Sequence, residues 1–95
     1  MKYNLILKPR AENDLAEAIE WYESKQKGLG QKFLNQIDKY LNQIKRNPLH
    51  YPSKRLPFRE AYIKKFPYII IYEVFNLEIV VYSVFCSYQN PDKKP

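Results

Sequence analysis

The spacing of apolar residues changes from a helical period to a strand pattern near the middle of the chain, and this change limits the possible folds strongly. Residues 31–46 carry one apolar stripe at the spacing of a helix face, formed by Phe33, Leu34, Ile37, Tyr40, Leu41 and Ile44. The segments 59–66, 68–74 and 79–86 are instead rich in β-branched and aromatic residues, which is typical of strands. We therefore expect an α+β domain.

A second helix is predicted before this stripe, starting at Pro9, a residue suited to the first helical position. One face of it carries apolar side chains at helical spacing, namely Ala11, Leu15, Ala18, Ile19 and Tyr22. Lys25 and Lys27 followed by Gly28 indicate its end, because cations and a left-handed residue suit a helix C-terminus. The link over residues 27–30 is so short that the two helices must form an antiparallel hairpin.

Residues 3–7 are short and apolar and suit a first strand, while the three later segments predict an antiparallel meander. The most continuously apolar runs, 68–74 and 79–86, belong at the centre of the sheet, with the other two strands at its edges. The predicted order is β-α-α-β-β-β, with the helix hairpin packed on one face of the sheet. The whole chain, residues 1–95, is expected to form a single domain.

Composition excludes several classes of protein. The single cysteine, Cys86, allows no internal disulfide, so we expect a reducing, cytoplasmic setting and treat Cys86 as a core residue. The single histidine, His50, lies in a proline-rich segment and is interpreted as a turn residue, and no metal site or cofactor is expected. No stretch is apolar enough to span a membrane.

Positive charge is concentrated in residues 45–65, which hold seven basic residues and one acidic residue in a chain of net charge +6. These basic residues are Lys45, Arg46, Lys54, Arg55, Arg59, Lys64 and Lys65. The concentration favours an anionic partner, either nucleic acid or an acidic protein. The alternative is a solvated basic loop and edge strand that resists aggregation.

The strands also predict an apolar surface on the side away from the helices. Glu73 and Ser83 suggest which side chains point that way, and the same phase holds Ile69, Ile71, Ile79, Val81 and Phe85. An open apolar face would indicate a protein interface. The alternative is that the C-terminal tail or the loop 48–58 covers it. Trp21, at the margin of the first helix's stripe, is either a core flank or an interface anchor.

The residues available for catalysis are limited to Arg, Lys and Tyr. There is no glycine-rich phosphate loop, and the carboxylates of the first helix lie mostly on its solvated side. If the protein were an RNA-cleaving enzyme, the candidate catalytic residues would be Arg59, Lys64, Lys65 and Tyr88. No obvious general base accompanies them. A plain RNA-binding module is a third possibility, since a sheet with aromatic and cationic residues can stack bases.

Short motifs distributed over nearly the whole chain resemble those of the RelE/ParE toxin superfamily, and most closely its ParE-like, plasmid-stabilisation branch. In order they are Pro9-Arg10-Ala11, Asp14-Leu15, Ile19-Glu20-Trp21-Tyr22, Gly28-Leu29-Gly30, Phe33-Leu34, Asn47-Pro48, Phe66-Pro67-Tyr68 and Val84-Phe85 to Asn90-Pro91. The resemblance implies a toxin of a type II toxin–antitoxin system. Its partner would be a cognate antitoxin with an acidic, amphipathic segment.

The resemblance leaves the target open between DNA gyrase, for ParE-like members, and mRNA on the ribosome, for RelE-like members. Arginines of the RelE-type nucleases correspond to Ile69 and to Ser87 or its neighbours, so those cations are missing here. The ParE-like His and Arg near the last strand correspond to Cys86 and Gln89. We expect non-enzymatic inhibition of gyrase, with an mRNA endonuclease or an attenuated toxin that only binds antitoxin as alternatives.

Partner binding, rather than catalysis, is the role expected for the basic residues and the apolar face. Cations would steer an acidic antitoxin segment, and apolar side chains would give it contact area. The residues expected to bind antitoxin or target are Arg55, Arg59, Lys64, Lys65, Ile69, Ile71, Phe85 and Trp21.

Overall fold

A computed structural model describes residues 2–53 and 55–95 of the chain. Its elements are β1 (Asn4–Leu7), α1 (Pro9–Lys25), α2 (Leu29–Arg46), β2 (Arg59–Tyr62), β3 (Tyr68–Phe75) and β4 (Glu78–Cys86). A short 3-10 turn follows at Pro91–Lys93. The predicted α+β fold and its element order are confirmed.

The four strands form one sheet in the order β1-β4-β3-β2, so β3 and β4 are central as predicted. β2, β3 and β4 are the expected antiparallel meander, whereas β1 pairs with β4 in parallel, which makes the sheet mixed. β2 is shorter than predicted because the Ile63 N–H donates to the Tyr68 carbonyl and closes the turn into β3.

Both helices pack on one face of this sheet and enclose what we term the main core. α2 contributes its buried stripe of Phe33, Ile37, Tyr40 and Ile44. The sheet contributes Ile70, Tyr72, Ile79, Val81 and Val84. Each large apolar side chain buried in this way stabilises the fold by about 1.5–3 kcal/mol relative to an exposed one.

The helix hairpin turns at Gln26–Gly28 and is held by a carboxylate of α1. Gly28 has a φ of 87°, which a residue without a Cβ adopts without strain. The Glu23 carboxylate accepts hydrogen bonds from the Gly28 N–H at 2.9 Å and the Gly30 N–H at 3.0 Å. Because these donors lie at the N-terminus of α2, Glu23 satisfies them and also places negative charge at the positive end of the helix dipole.

Gly30→Ala should destabilise the protein more than Gly28→Ala. A Cβ at Gly30 would lie 2.7 Å from the Ile19 carbonyl oxygen, so the two helices would have to separate. We expect a loss of about 1–3 kcal/mol in the free energy of unfolding at Gly30. At Gly28 the added Cβ meets no atom within 4 Å, and we expect about 1 kcal/mol from the left-handed backbone alone. Urea unfolding of both variants checks this, and an equal loss would contradict the close approach of the helices.

The prediction that five β3 and β4 residues share one face is wrong for two of them. Ile79 and Val81 lie in the main core under the helices, whereas Ile69, Ile71 and Phe85 form a second cluster with Phe58 on the other face. The pairing register shifts between Ile71 and Tyr72, which face Ser83 and Val81 respectively. This bulge inserts one extra residue in β4 and so reverses the side-chain phase along the strand. We call the second group the far-face cluster.

Candidate functional site

The far-face cluster is buried by the chain itself, so the expectation of an open apolar face is wrong. Ile69, Ile71 and Phe85 expose only 3%, 0% and 2% of their surface. Phe58, from the loop before β2, packs against them. The Lys94 ammonium group in the C-terminal tail lies 5.8 Å from the centroid of the Phe85 ring. The C-terminal tail and the loop before β2 therefore cover this face, as in the alternative expectation.

A buried carboxylate holds the C-terminal tail and the loop before β2 in place over this face. Glu60 in β2 exposes 2% of its surface and lies 3.3 Å from both the Lys94 ammonium and the Arg55 guanidinium. The Tyr62 hydroxyl donates to it at 3.0 Å. Burial alone would raise the pKa of Glu60, but the hydrogen bonds from Tyr62, Lys94 and Arg55 together hold that pKa below its ordinary value. Glu60 is therefore a stabilised anion and a poor proton acceptor for catalysis.

The basic residues of the 45–65 segment divide into two groups. Arg55 is bound to Glu60 and to the Pro95 carbonyl, and Arg59 donates to the carbonyls of Tyr51 at 2.7 Å and Leu49 at 3.5 Å. These two guanidinium groups hold loops. Arg55 is still 42% exposed at its side chain, and the second group consists of the exposed residues Lys45, Arg46, Lys64 and Lys65. Lys54 lies outside the described residues.

The four candidate nuclease residues occupy different surroundings. Arg59 lies against the loop before β2, and Lys64 and Lys65 are exposed in the turn between β2 and β3. Tyr88 is 86% exposed and lines a cavity next to α1. The more deeply placed tyrosines, Tyr68 and Tyr72, have pKa values raised by burial, and the Tyr72 hydroxyl donates to the Pro48 carbonyl at 2.6 Å. The Tyr72 phenol is therefore structural.

Asp14 has a role that the sequence reading missed. Its Oδ2 accepts from the Ser83 hydroxyl at 2.6 Å and from the Val84 N–H at 3.1 Å. The pairing of β1 with β4 ends at Val81, so the Val84 N–H has no partner in β1. Asp14 accepts the hydrogen bond from this N–H instead. The signal in the sequence was one acidic residue close to the apolar stripe of α1.

Two further expectations concern the cavity that Asp14 borders. Cys86 was expected in the core, but it is only half-buried and lines this cavity instead, because it lies at the end of β4. Trp21 is 55% exposed at the same cavity, so it is not a core residue. His50 is exposed in the loop after α2, as expected.

Comparison with known proteins establishes the family. The family described as the ParE toxin of the type II toxin–antitoxin system parDE matches residues 5–91, which is most of the chain. The chain belongs to the ParE toxin family. A search of curated proteins finds no match. This ParE-family protein is accordingly a toxin of a type II toxin–antitoxin system.

Solved structures share its fold at low sequence identity. The chromosomal ParDE system of P. aeruginosa gives a TM-score of 0.74 at 17% identity, covering 87% of this chain and 94% of the other. A mutant E. coli toxin RelE in complex with an antitoxin RelBc peptide gives 0.63 at 20% identity, covering 88% and 82%. The YoeB dimer of Staphylococcus aureus gives 0.62 at 19% identity, covering 95% and 100%.

The described residues of this ParE-family toxin contain neither a membrane-spanning helix nor a metal-binding cluster. Neither helix is long and apolar enough to cross a bilayer. Over residues 2–53 and 55–95, no three His, Cys, Asp or Glu side chains come together as a metal-binding group.

Proposed function

We propose that this toxin acts in the cytoplasm by binding and inhibiting DNA gyrase, without catalysing a reaction, and that an antitoxin with an acidic amphipathic segment neutralises it. Membership of the ParE family supports the toxin role. The observation that carries the non-enzymatic part is the far face of the sheet. There the buried carboxylate is already bound by two cations and a phenol, and the neighbouring side chains are apolar.

RNA cleavage would require groups that this face does not offer. Transfer of the 2′-hydroxyl proton needs a base with a pKa near neutrality, and cations must stabilise the charge on the phosphate. The pKa of Glu60 is lowered, and Arg55 and Arg59 are occupied by the carboxylate and by loop carbonyls. These contacts support a role in binding over a role in catalysis.

The proposed antitoxin contact has a steering part and a buried part. Lys64 and Lys65 are exposed and would attract an acidic segment, since opposite charge raises the rate of encounter. Ile69, Ile71 and Phe85 would add contact area only after the C-terminal tail leaves them, because they are now covered. Arg55, which joins the tail to Glu60, would be released in the same step.

The target is tested with purified protein in two assays run side by side. We expect the toxin to inhibit supercoiling by DNA gyrase and to leave transcripts intact in a translation extract. Codon-phased cuts that disappear in Lys64→Ala would instead establish the endonuclease. Activity in neither assay, together with retained antitoxin binding, would identify an attenuated toxin and contradict the proposal.

Steering by the exposed lysines is tested with the acidic segment of the cognate antitoxin. The double variant Lys64→Glu and Lys65→Glu should associate about tenfold more slowly at low salt, and the difference should shrink as salt screens the charges. Lys32→Glu with Lys39→Glu is the matched control, because both residues are exposed on α2 and the change in net charge is identical. Equal slowing by both pairs would show that only net charge matters.

A further inference from the structure

A cavity of about 350 Å³ lies between α1, the C-terminal end of β4 and the adjoining N-terminal end of β3. Four aromatic residues of its lining are Trp21, Tyr22, Tyr68 and Tyr88. Two carboxylates, Asp14 and Glu17, also line it. This volume is at the lower end of the range for ligand pockets and is large enough for one long side chain.

The charge of the cavity is opposite to that of the protein. The chain carries a net charge of +6, yet the cavity's lining among the described residues contains two acidic side chains and neither lysine nor arginine. Glu17 is exposed, and the Asp14 side chain keeps 23% of its surface accessible. A cationic group entering the cavity would therefore meet negative charge on its way in.

The aromatic walls are arranged to accept a cation. The Trp21 ring is 55% exposed and is held edge-on by Tyr22, with a centroid distance of 5.0 Å. The Lys25 ammonium group lies 5.0 Å from the Trp21 centroid, so this ring already makes one cation–π contact within the chain, and an incoming cation would stack beside Lys25 or in its place. The Tyr22 and Tyr68 rings, which also line the cavity, lie edge to face with a centroid distance of 6.1 Å.

Asp14 supplies a carboxylate in a fixed orientation. The two hydrogen bonds from Ser83 and Val84, and the 4.0 Å ion pair with Arg10, all involve Oδ2. The other oxygen, Oδ1, takes part in none of these three contacts. A carboxylate held by the sheet and flanked by aromatic rings matches the requirements of a planar cation that stacks and donates hydrogen bonds at once.

We propose that this cavity binds the side chain of an arginine presented by a partner polypeptide. A guanidinium group is weakly hydrated, stacks on an aromatic face and can pair with a carboxylate through two N–H donors. A lysine ammonium group can also pair with a carboxylate, but it does so as a compact, strongly hydrated point charge. This inference does not rest on the proposed function. An acidic antitoxin segment attracted by Lys64 and Lys65 and an arginine in this cavity would be separate contacts of the toxin.

Binding of N-acetyl-arginine amide to the folded toxin tests the inference. The control ligand is N-acetyl-citrulline amide, which has nearly the same shape and no charge. We expect saturable amide shifts by NMR at residues 14–22 and 84–89, with quenching of the fluorescence of Trp21, the single tryptophan. Citrulline should bind at least about tenfold more weakly. Equal binding of the two ligands, or no saturable shift up to the solubility limit, would overturn the proposal.

Variants assign the site. Glu17→Gln and Trp21→Leu should each weaken arginine binding about threefold to tenfold, and both residues are exposed, so folding should be retained. Glu12→Gln is the matched control, since it removes the same charge from an exposed position of α1 that does not line the cavity. If Glu12→Gln weakens binding as much as Glu17→Gln, the attraction is long-range and the cavity is not the site.

Discussion

Phe33→Ala should lower the free energy of unfolding by about 3–5 kcal/mol, as for other fully buried phenylalanines. The Phe33 side chain is 0% exposed and contacts the rings of Tyr22, Phe66 and Tyr68 at centroid distances of 5.2, 5.1 and 4.9 Å. Truncation removes these contacts and leaves a cavity where α2, α1 and the β2–β3 turn meet. Denaturant unfolding measures the loss.

The matched control for Phe33 is Asp38→Ala, an exposed position on the same helix. We expect it to change the free energy of unfolding by less than about 0.5 kcal/mol, as surface substitutions usually do. A loss below about 1 kcal/mol for Phe33→Ala would contradict the central place of this ring in the main core.

Glu60→Ala should be the second most damaging substitution, with a loss of about 2–4 kcal/mol. It removes the acceptor of Tyr62 and leaves two cations, on Arg55 and Lys94, without their buried anion. Because these cations fasten the C-terminal tail, amide exchange in residues 87–95 should accelerate in the same variant. Glu78→Ala, at an exposed strand end, is the control. Unchanged tail exchange would show that the tail is held by other contacts.

The dependence of the protein's stability on pH follows from the direction in which the pKa of Glu60 is shifted. Its pKa in the folded protein is lowered, so its contribution to stability is complete above the unfolded-state pKa, near 4.5, and is lost as pH falls through the folded-state value. The wild type should therefore lose stability between about pH 5 and pH 3 more steeply than Glu60→Gln, which has no carboxylate to protonate. Unfolding curves across this range measure the difference in slope.

Apolar periodicity was sufficient to predict the elements because each helix and strand is stabilised mainly by the side it buries. The apolar stripe predicted for α2 is buried in the structure, and α1 begins at Pro9 as predicted. The central position of β3 and β4 followed from their continuous apolar runs. These features depend on residues within one element, which a sequence displays directly.

Features that depend on distant residues were missed. Phase counting along β4 assumed regular alternation, and the bulge opposite Ile71 and Tyr72 placed Ile79 and Val81 under the helices instead. The open apolar face was predicted from strand phase, with cover by the C-terminal tail or the loop 48–58 as the alternative, and the structure brings the tail onto that face through Lys94. Its ion pair with Glu60 joins residues far apart in sequence, and local patterns do not indicate such a contact.

The candidate site was anticipated in part. Exposure of Lys64 and Lys65 agrees with their expected accessibility, although their binding role stays a prediction. Arg55 and Arg59 were grouped with them on charge alone, but both hold loops through carbonyl or carboxylate contacts. The sequence shows that a cationic side chain is present. It does not show whether that side chain is already bound to a carbonyl or a carboxylate in the folded chain.

The parallel pairing of β1 with β4 has a consequence during synthesis. Asn4 of β1 pairs with Glu78 of β4, so β1 cannot join the sheet until β4 has been synthesised. Until then α1 and α2 have no completed sheet to cover, and the parallel ladder between β1 and β4 cannot form. A nascent chain that lacks β4 therefore cannot form the native sheet, and the toxin fold is reached only after β4 has been synthesised.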